Sequence, residues 1–173
     1  MNHLNVISEK MSTFPHLCCL FEYDTRRAWL GFEPGPNASL LGAVGPGHLD
    51  DSSCQSQLGY YARFRVPTNT LWLAEDQIGT TYATGSGYRL YQRDCVSLVL
   101  DACRACGLST PPMLRNPLLK KVPIPISPIP LMPTVTPGLP NLFPHEVIWK
   151  LRLLNLPYLT HFGTDQDQPY PWM

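Results

Sequence analysis

The sequence has little net charge, and no basic run stands out along its 173 residues. Thirteen Lys and Arg residues balance thirteen Asp and Glu residues, so the formal net charge at pH 7 is zero. A nucleic-acid-binding protein normally carries a basic patch or stripe that neutralises phosphates. The composition therefore argues against a nucleic-acid partner.

Long hydrophobic runs are also missing from the chain. No stretch approaches the about 20 apolar residues that a membrane-spanning helix needs. The first residues, MNHLNVISEK, lack a basic segment followed by a long apolar segment. We therefore expect no integral membrane segment, and we predict a cytoplasmic protein or one that is exported without a signal peptide.

Cysteine is too sparse for a disulfide scaffold, because the chain has six in 173 residues. In a reducing compartment we expect all six to be thiols that serve as core residues, metal ligands or nucleophiles. Cys18 and Cys19 could join Cys103 and Cys106 in a zinc site. Adjacent strand residues point to opposite faces, however, so we expect no metal and no cofactor.

The segmental pattern predicts an α+β fold. Aromatic and β-branched runs cut by turn signals predict strands up to about residue 67, with a Gly/Pro/Ser-rich loop over 34–57. A helix follows over TNTLWLAEDQIGTTYA, with Thr68 or Thr70 as its cap. A second begins after Asp94 and ends at Gly107. We expect a small antiparallel sheet of four to six strands with the second helix packed on one face.

Two further segments follow the predicted first domain, which spans residues 1–112. In 113–144 roughly one residue in three is Pro, which excludes regular helix or central strand and predicts an extended arm. Residues 145–173 are predicted to form a short helix and a frayed tail, with an apolar helix face of Val147, Ile148, Leu151 and Leu154. The apolar content of the arm suggests that it docks on the domain, and the alternative is a tether for a protein partner.

Cys95 lies in the first turn of the predicted second helix. The free N–H groups and the dipole of a helix start favour negative charge, so they should lower the pKa of this thiol and could hold an oxyanion. The alternative is a cysteine that only packs in the core. Cys103 and Cys106 lie deeper in the helix, and we assign them to the core.

A nucleophilic cysteine needs a base, and His16 is the best placed of the five histidines because it begins a strand. We expect its ring to lie within hydrogen-bond reach of Cys95. If Asp24 and Thr25 form a two-residue turn, His16 falls opposite Glu33, whose carboxylate would orient the imidazole. A four-residue turn would shift the register and remove Glu33 from this role.

Two stretches resemble permuted papain-like cysteine hydrolases, which include lecithin:retinol acyltransferase relatives, permuted NlpC-type hydrolases and permuted papain-fold isopeptidases. PHLCCLFEYDTRRAWLGFEP is similar to their histidine hairpin, and YRLYQRDCVSLVLDACRACGLSTPP to their nucleophile block. The His precedes the Cys, which is the permuted order. Asp94 stands where many relatives have Asn, and a carboxylate there opposes thiolate formation.

The resemblance implies that residues 1–112 form a circularly permuted papain-like catalytic domain. Cys95, His16 and Glu33 would catalyse hydrolysis or acyl transfer on an amide or ester, such as a cell-wall peptide, a protein isopeptide or a lipid. The alternative is a binding or structural protein of the same fold with an inert thiol.

Overall fold

The computed structural model describes residues 2–9, 16–36, 44–50, 58–90, 92–112, 144–167 and 169–172. The predicted arm lies outside these ranges apart from Pro144, and Cys54 also lies outside them. The protein is α+β, with one antiparallel sheet of seven strands in the order β6-β4-β3-β2-β1-β5-β7. The strands are β1 His3–Glu9, β2 Leu17–Glu22, β3 Arg27–Pro34, β4 Val44–Asp50, β5 Leu58–Arg65, β6 Gly87–Arg89 and β7 Leu159–Thr164.

Three helices complete the described structure: α1 Thr68–Thr81, α2 Cys95–Ala105 and α3 Pro144–Leu154. Helix α2 packs on β2 and β3 and against α1, while α3 packs on β1 and β5. The buried apolar residues of all three helices join one face of the sheet in a single core. The C-terminal part of the chain is therefore built into the same core as the first 112 residues.

The two faces of the sheet carry different partners, as the alternation along β2 shows. Leu17, Cys19 and Phe21 belong to the core beneath the helices, which we call the helix face. Cys18 and Leu20 lie on the other side, packed with Tyr170 and Trp172, and we call this the tail face. The expectation of a frayed tail was wrong, since a sheet with two apolar faces needs cover on both.

The strand count exceeds the four to six expected, because two strands were missed. Val44–Asp50 lies within the predicted loop but pairs with β3 and β6. Its Gly and Pro residues are tolerated because it lies next to the short edge strand β6. Leu159–Thr164 pairs with β5 at the other edge, and its sequence LTHFGT is polar enough to resemble a loop.

Helix ends match the sequence prediction in α2 and differ elsewhere. The Asp94 side chain accepts a hydrogen bond from the Ser97 N–H at 3.0 Å, and Gly107 follows the helix at φ +76°, so both predicted signals are confirmed. Helix α1 instead starts after Pro67 without a side-chain cap, and the Thr68 hydroxyl accepts from Asn2. In α3, Leu154 is half exposed rather than part of the buried face.

Two findings bear on membrane and redox expectations. Among the described residues, no helix has the length and apolar character needed to cross a bilayer. Cys18 is disulfide-bonded, so the expectation of six thiols was wrong, whereas Cys19, Cys95, Cys103 and Cys106 are free.

Candidate active site

The β2–β3 hairpin sets the position of the candidate histidine. The Tyr23 N–H donates to the Arg26 carbonyl at 2.9 Å around a two-residue turn, as the sequence predicted. Cys18 pairs with Gly31 in the same register. Continuing this pairing by two residues brings His16 opposite Glu33.

The imidazole of His16 is held against β3. Its Nε2 lies 3.5 Å from Oε1 of Glu33, and the side chain is 10% exposed. Nε2 has no hydrogen-bond partner among the described residues, so the approach to Glu33 is a charge contact without hydrogen-bond geometry. The same nitrogen lies where a side chain at Gly31 would project, 2.7 Å from an ideal Cβ.

The pKa of His16 is lowered from its ordinary value of 6.5. Burial is the main cause, because it disfavours the charged ring. Glu33, Asp50 and Asp94 act in the opposite direction without overcoming burial. The imidazole is therefore neutral near pH 7 and available to accept a proton.

The thiol of Cys95 lies at the start of α2, as predicted. Three backbone N–H groups, those of Leu17, Val96 and Cys95 itself, hydrogen-bond to the sulfur and lower its pKa. Two of them belong to the helix start, and the third is the amide that links His16 to Leu17. The fold thus brings the thiol to the peptide group next to His16, although the two residues are far apart in sequence.

Burial reverses the expected activation of this thiol. The pKa of Cys95 is raised to about 12, first by burial and then by the Asp94 carboxylate, and the three amide hydrogen bonds do not compensate. The expected net lowering by the helix start was therefore wrong. The resting pair consists of a neutral thiol and a neutral imidazole.

The two side chains leave β2 in different directions. Gly31 and its partner Cys18 belong to the tail face, so the Nε2 of His16 that lies over Gly31 projects to that face. Cys95 belongs to the helix-face core together with Leu17. The thiol meets the backbone beside His16 from one side, while the ring projects to the other.

The remaining free thiols belong to the core, as expected for Cys103 and Cys106. Cys19 faces them from β2, and burial raises the pKa of all three. In the part of the chain that the structure describes, no group of three His, Cys, Asp or Glu side chains is placed to hold a metal ion.

Gly31, Glu9 and Asp50 were not identified from the sequence as neighbours of His16. The Glu9 N–H donates to the His16 carbonyl at 3.0 Å, and Asp50 pairs with Gly31 across β3 and β4. Glu9 and Asp50 end strands β1 and β4, and extending the hairpin register across these strands would have found them.

No family model, curated protein or solved structure matches this chain.

Proposed function

We propose that this chain is a thiol-dependent hydrolase or acyltransferase of the permuted papain-like type, acting on an amide or ester through Cys95 and His16. The observation that carries the proposal is the hydrogen bond from the Leu17 N–H to the Cys95 sulfur, which brings the helix-start thiol to the residue after His16. Glu33, at 3.5 Å from Nε2, is the positioning residue for the ring.

In this mechanism the thiol loses its proton only as it attacks. The Nε2 proton of His16 faces Glu33, so Nδ1 is the nitrogen that accepts the thiol proton. Sulfur bonds to the acyl carbon, and the imidazolium then protonates the leaving amine or alcohol. Water or a second nucleophile resolves the thioester and returns the proton through the ring.

The proposal makes one geometric demand. Nδ1 must reach the thiol past the start of β2, where His16 precedes the first strand residue. Because both groups are neutral at rest, the transfer is general-base catalysis rather than attack by a preformed ion pair. The amides of Cys95 and Val96 lie at the sulfur and are the nearest donors for an oxyanion.

The resemblance permits a cell-wall peptide, a protein isopeptide or a lipid as the acyl donor. The apolar residues of 113–144 are proposed to contact an apolar substrate or a protein partner. Both suggestions rest on sequence alone.

A binding or structural protein with an inert thiol is the second candidate. The observation that favours it is the combination of a pKa raised to about 12 at Cys95 and an imidazole that projects to the tail face. An inert thiol and a neutral buried histidine would need no closer approach.

Limited alkylation with iodoacetamide separates the two candidates. We expect Cys95 to be modified before Cys19 and Cys103 near neutral pH, and His16→Ala to slow that reaction by at least about tenfold. His161→Gln is the matched control, because His161 is exposed on β7 at the far edge of the sheet. Protection of Cys95, or an unchanged rate in His16→Ala, would establish the inert alternative.

A further inference from the structure

Three carboxylates surround His16 at one end of the sheet, and we call them the acidic row: Glu9, Glu33 and Asp50. Glu9 lies opposite His16 on β1, and Glu33 opposite it on β3. Asp50 pairs with Gly31, the residue beneath the imidazole. Paired residues share a sheet face, so the acidic row and the ring lie together on the tail face.

The members of the acidic row act on one another and on the ring. The pKa of Glu9 is raised by burial and then by Glu33 and Asp50. The charges that act on His16 are also carboxylates, those of Glu33, Asp50 and Asp94. Negative charge is therefore concentrated at this end of the sheet, and each carboxylate is only partly exposed.

A second, independent observation points to a missing ligand. Nε2 of His16 is buried and has no hydrogen-bond partner among the described residues, although it is aimed at the acidic row. Buried polar atoms are normally hydrogen-bonded. The arrangement does not offer the three close ligands that a metal ion needs, whereas an organic cation brings its own N–H donors to widely spaced carboxylates.

We infer that the substrate carries a positively charged amine, which the acidic row binds beside the reacting acyl group. This inference rests on the proposed function of Cys95. Neighbouring strands lie about 4.8 Å apart, so the carboxylates lie on strands about 5 to 10 Å from β2. A lysine-length side chain spans that distance from a scissile carbonyl, which favours a peptide or isopeptide over a neutral lipid ester.

Charged methanethiosulfonates test this preference at the thiol itself. The sulfur of Cys95 attacks the thiosulfonate, its proton passes to the imidazole, a mixed disulfide forms and methanesulfinate leaves. We compare the trimethylammonioethyl, methyl and sulfonatoethyl reagents, each rate being divided by that of N-acetylcysteine. The corrected cation-to-anion ratio should exceed about tenfold at Cys95 and fall as salt is added.

Variants assign the preference to the acidic row. The double variant Glu9→Gln, Asp50→Asn should reduce the ratio at least about threefold, and Asp76→Asn on α1 is the control because Asp76 is exposed outside the row. If the double variant melts early, Glu9→Gln alone is measured. Equal corrected rates for all three reagents, or a ratio unchanged in the folded row variant, would overturn the inference alone. If no reagent labels Cys95, the proposed function fails with it.

Discussion

Nε2 of His16 occupies the space into which a side chain at position 31 would project, 2.7 Å from an ideal Cβ. Gly31 is thus required by the position of the imidazole rather than by its own backbone. The listing atom in this close approach is the end of a side chain that can rotate, so crowding should move the ring and spare the strand.

Gly31→Ala should therefore separate function from stability. The displaced imidazole loses its approach to Glu33, and we expect the alkylation of Cys95 to slow by about tenfold or more while the melting temperature changes little. Gly79→Ala is the control, because nothing lies within 4 Å of a Cβ there and the change in helix α1 should add about 0.5 to 1 kcal/mol of stability. An unchanged rate in folded Gly31→Ala would contradict the role of the ring.

The pH dependence of the thiol reaction should report the pKa of His16. The ring must be neutral to accept a proton, and its pKa is lowered below 6.5 by burial. The alkylation rate of Cys95 should therefore fall to half only below pH 6.5. Glu33 raises this pKa, so Glu33→Gln should move the acid limb to still lower pH, which rate profiles and imidazole proton shifts in NMR would both detect.

Asp94 has two opposing effects on Cys95, and substitutions separate them. Its carboxylate caps α2 through the Ser97 N–H and raises the pKa of Cys95. Asn caps a helix about as well as Asp but carries no charge, so Asp94→Asn should speed alkylation at nearly constant stability. Asp94→Ala should cost about 1 kcal/mol in urea unfolding. A slower reaction in Asp94→Asn would show that the carboxylate assists the thiol.

A buried polar network on β1, β2 and β5 should make folding sensitive to mild acid. Arg63 bonds Glu22 at 2.9 Å and the Nδ1 of His3 at 3.0 Å. Burial first, and then Arg63, lowers the pKa of His3 below 6.5. The unfolded chain therefore takes up a proton that the folded chain refuses, and stability that is complete above pH 6.5 declines as the pH falls below it.

His3→Asn measures this contribution, because the Asn carbonyl still accepts from Arg63 but cannot titrate. Urea unfolding of the variant should show a weaker loss of stability between about pH 6.5 and pH 5.5 than the wild type shows. His16 titrates with the same sign, so part of the slope should remain. Identical slopes in the two proteins would exclude His3 as a source.

The local features of the site were predictable because they depend on short-range rules. Asp94 and Gly107 are capping residues in preferred positions, and the turn at Asp24 and Thr25 fixed the pairing of His16 with Glu33. Strand periodicity also carried information that we did not use. His16 shares its parity with Cys18 rather than Leu17, which places its ring on the face away from the helices.

The remaining features depend on tertiary packing. The pKa of Cys95 is set by burial beneath α2 and not by its position in the helix, so no local pattern reveals it. Val44–Asp50 and Leu159–Thr164 become strands because β3 and β5 offer them an edge, against the local preference of their Gly, Pro and polar residues.

The order of the strands has a consequence for synthesis on the ribosome. Strand β5 pairs with β1 on one side and with β7 on the other, yet the residues that form β7 are translated about a hundred positions after those of β5. Throughout that interval a nascent chain presents the open edge of Leu58–Arg65, an aromatic strand able to pair with another polypeptide. Release of the last strand closes this edge, so premature termination should yield aggregation-prone fragments even when β1 to α2 have already formed.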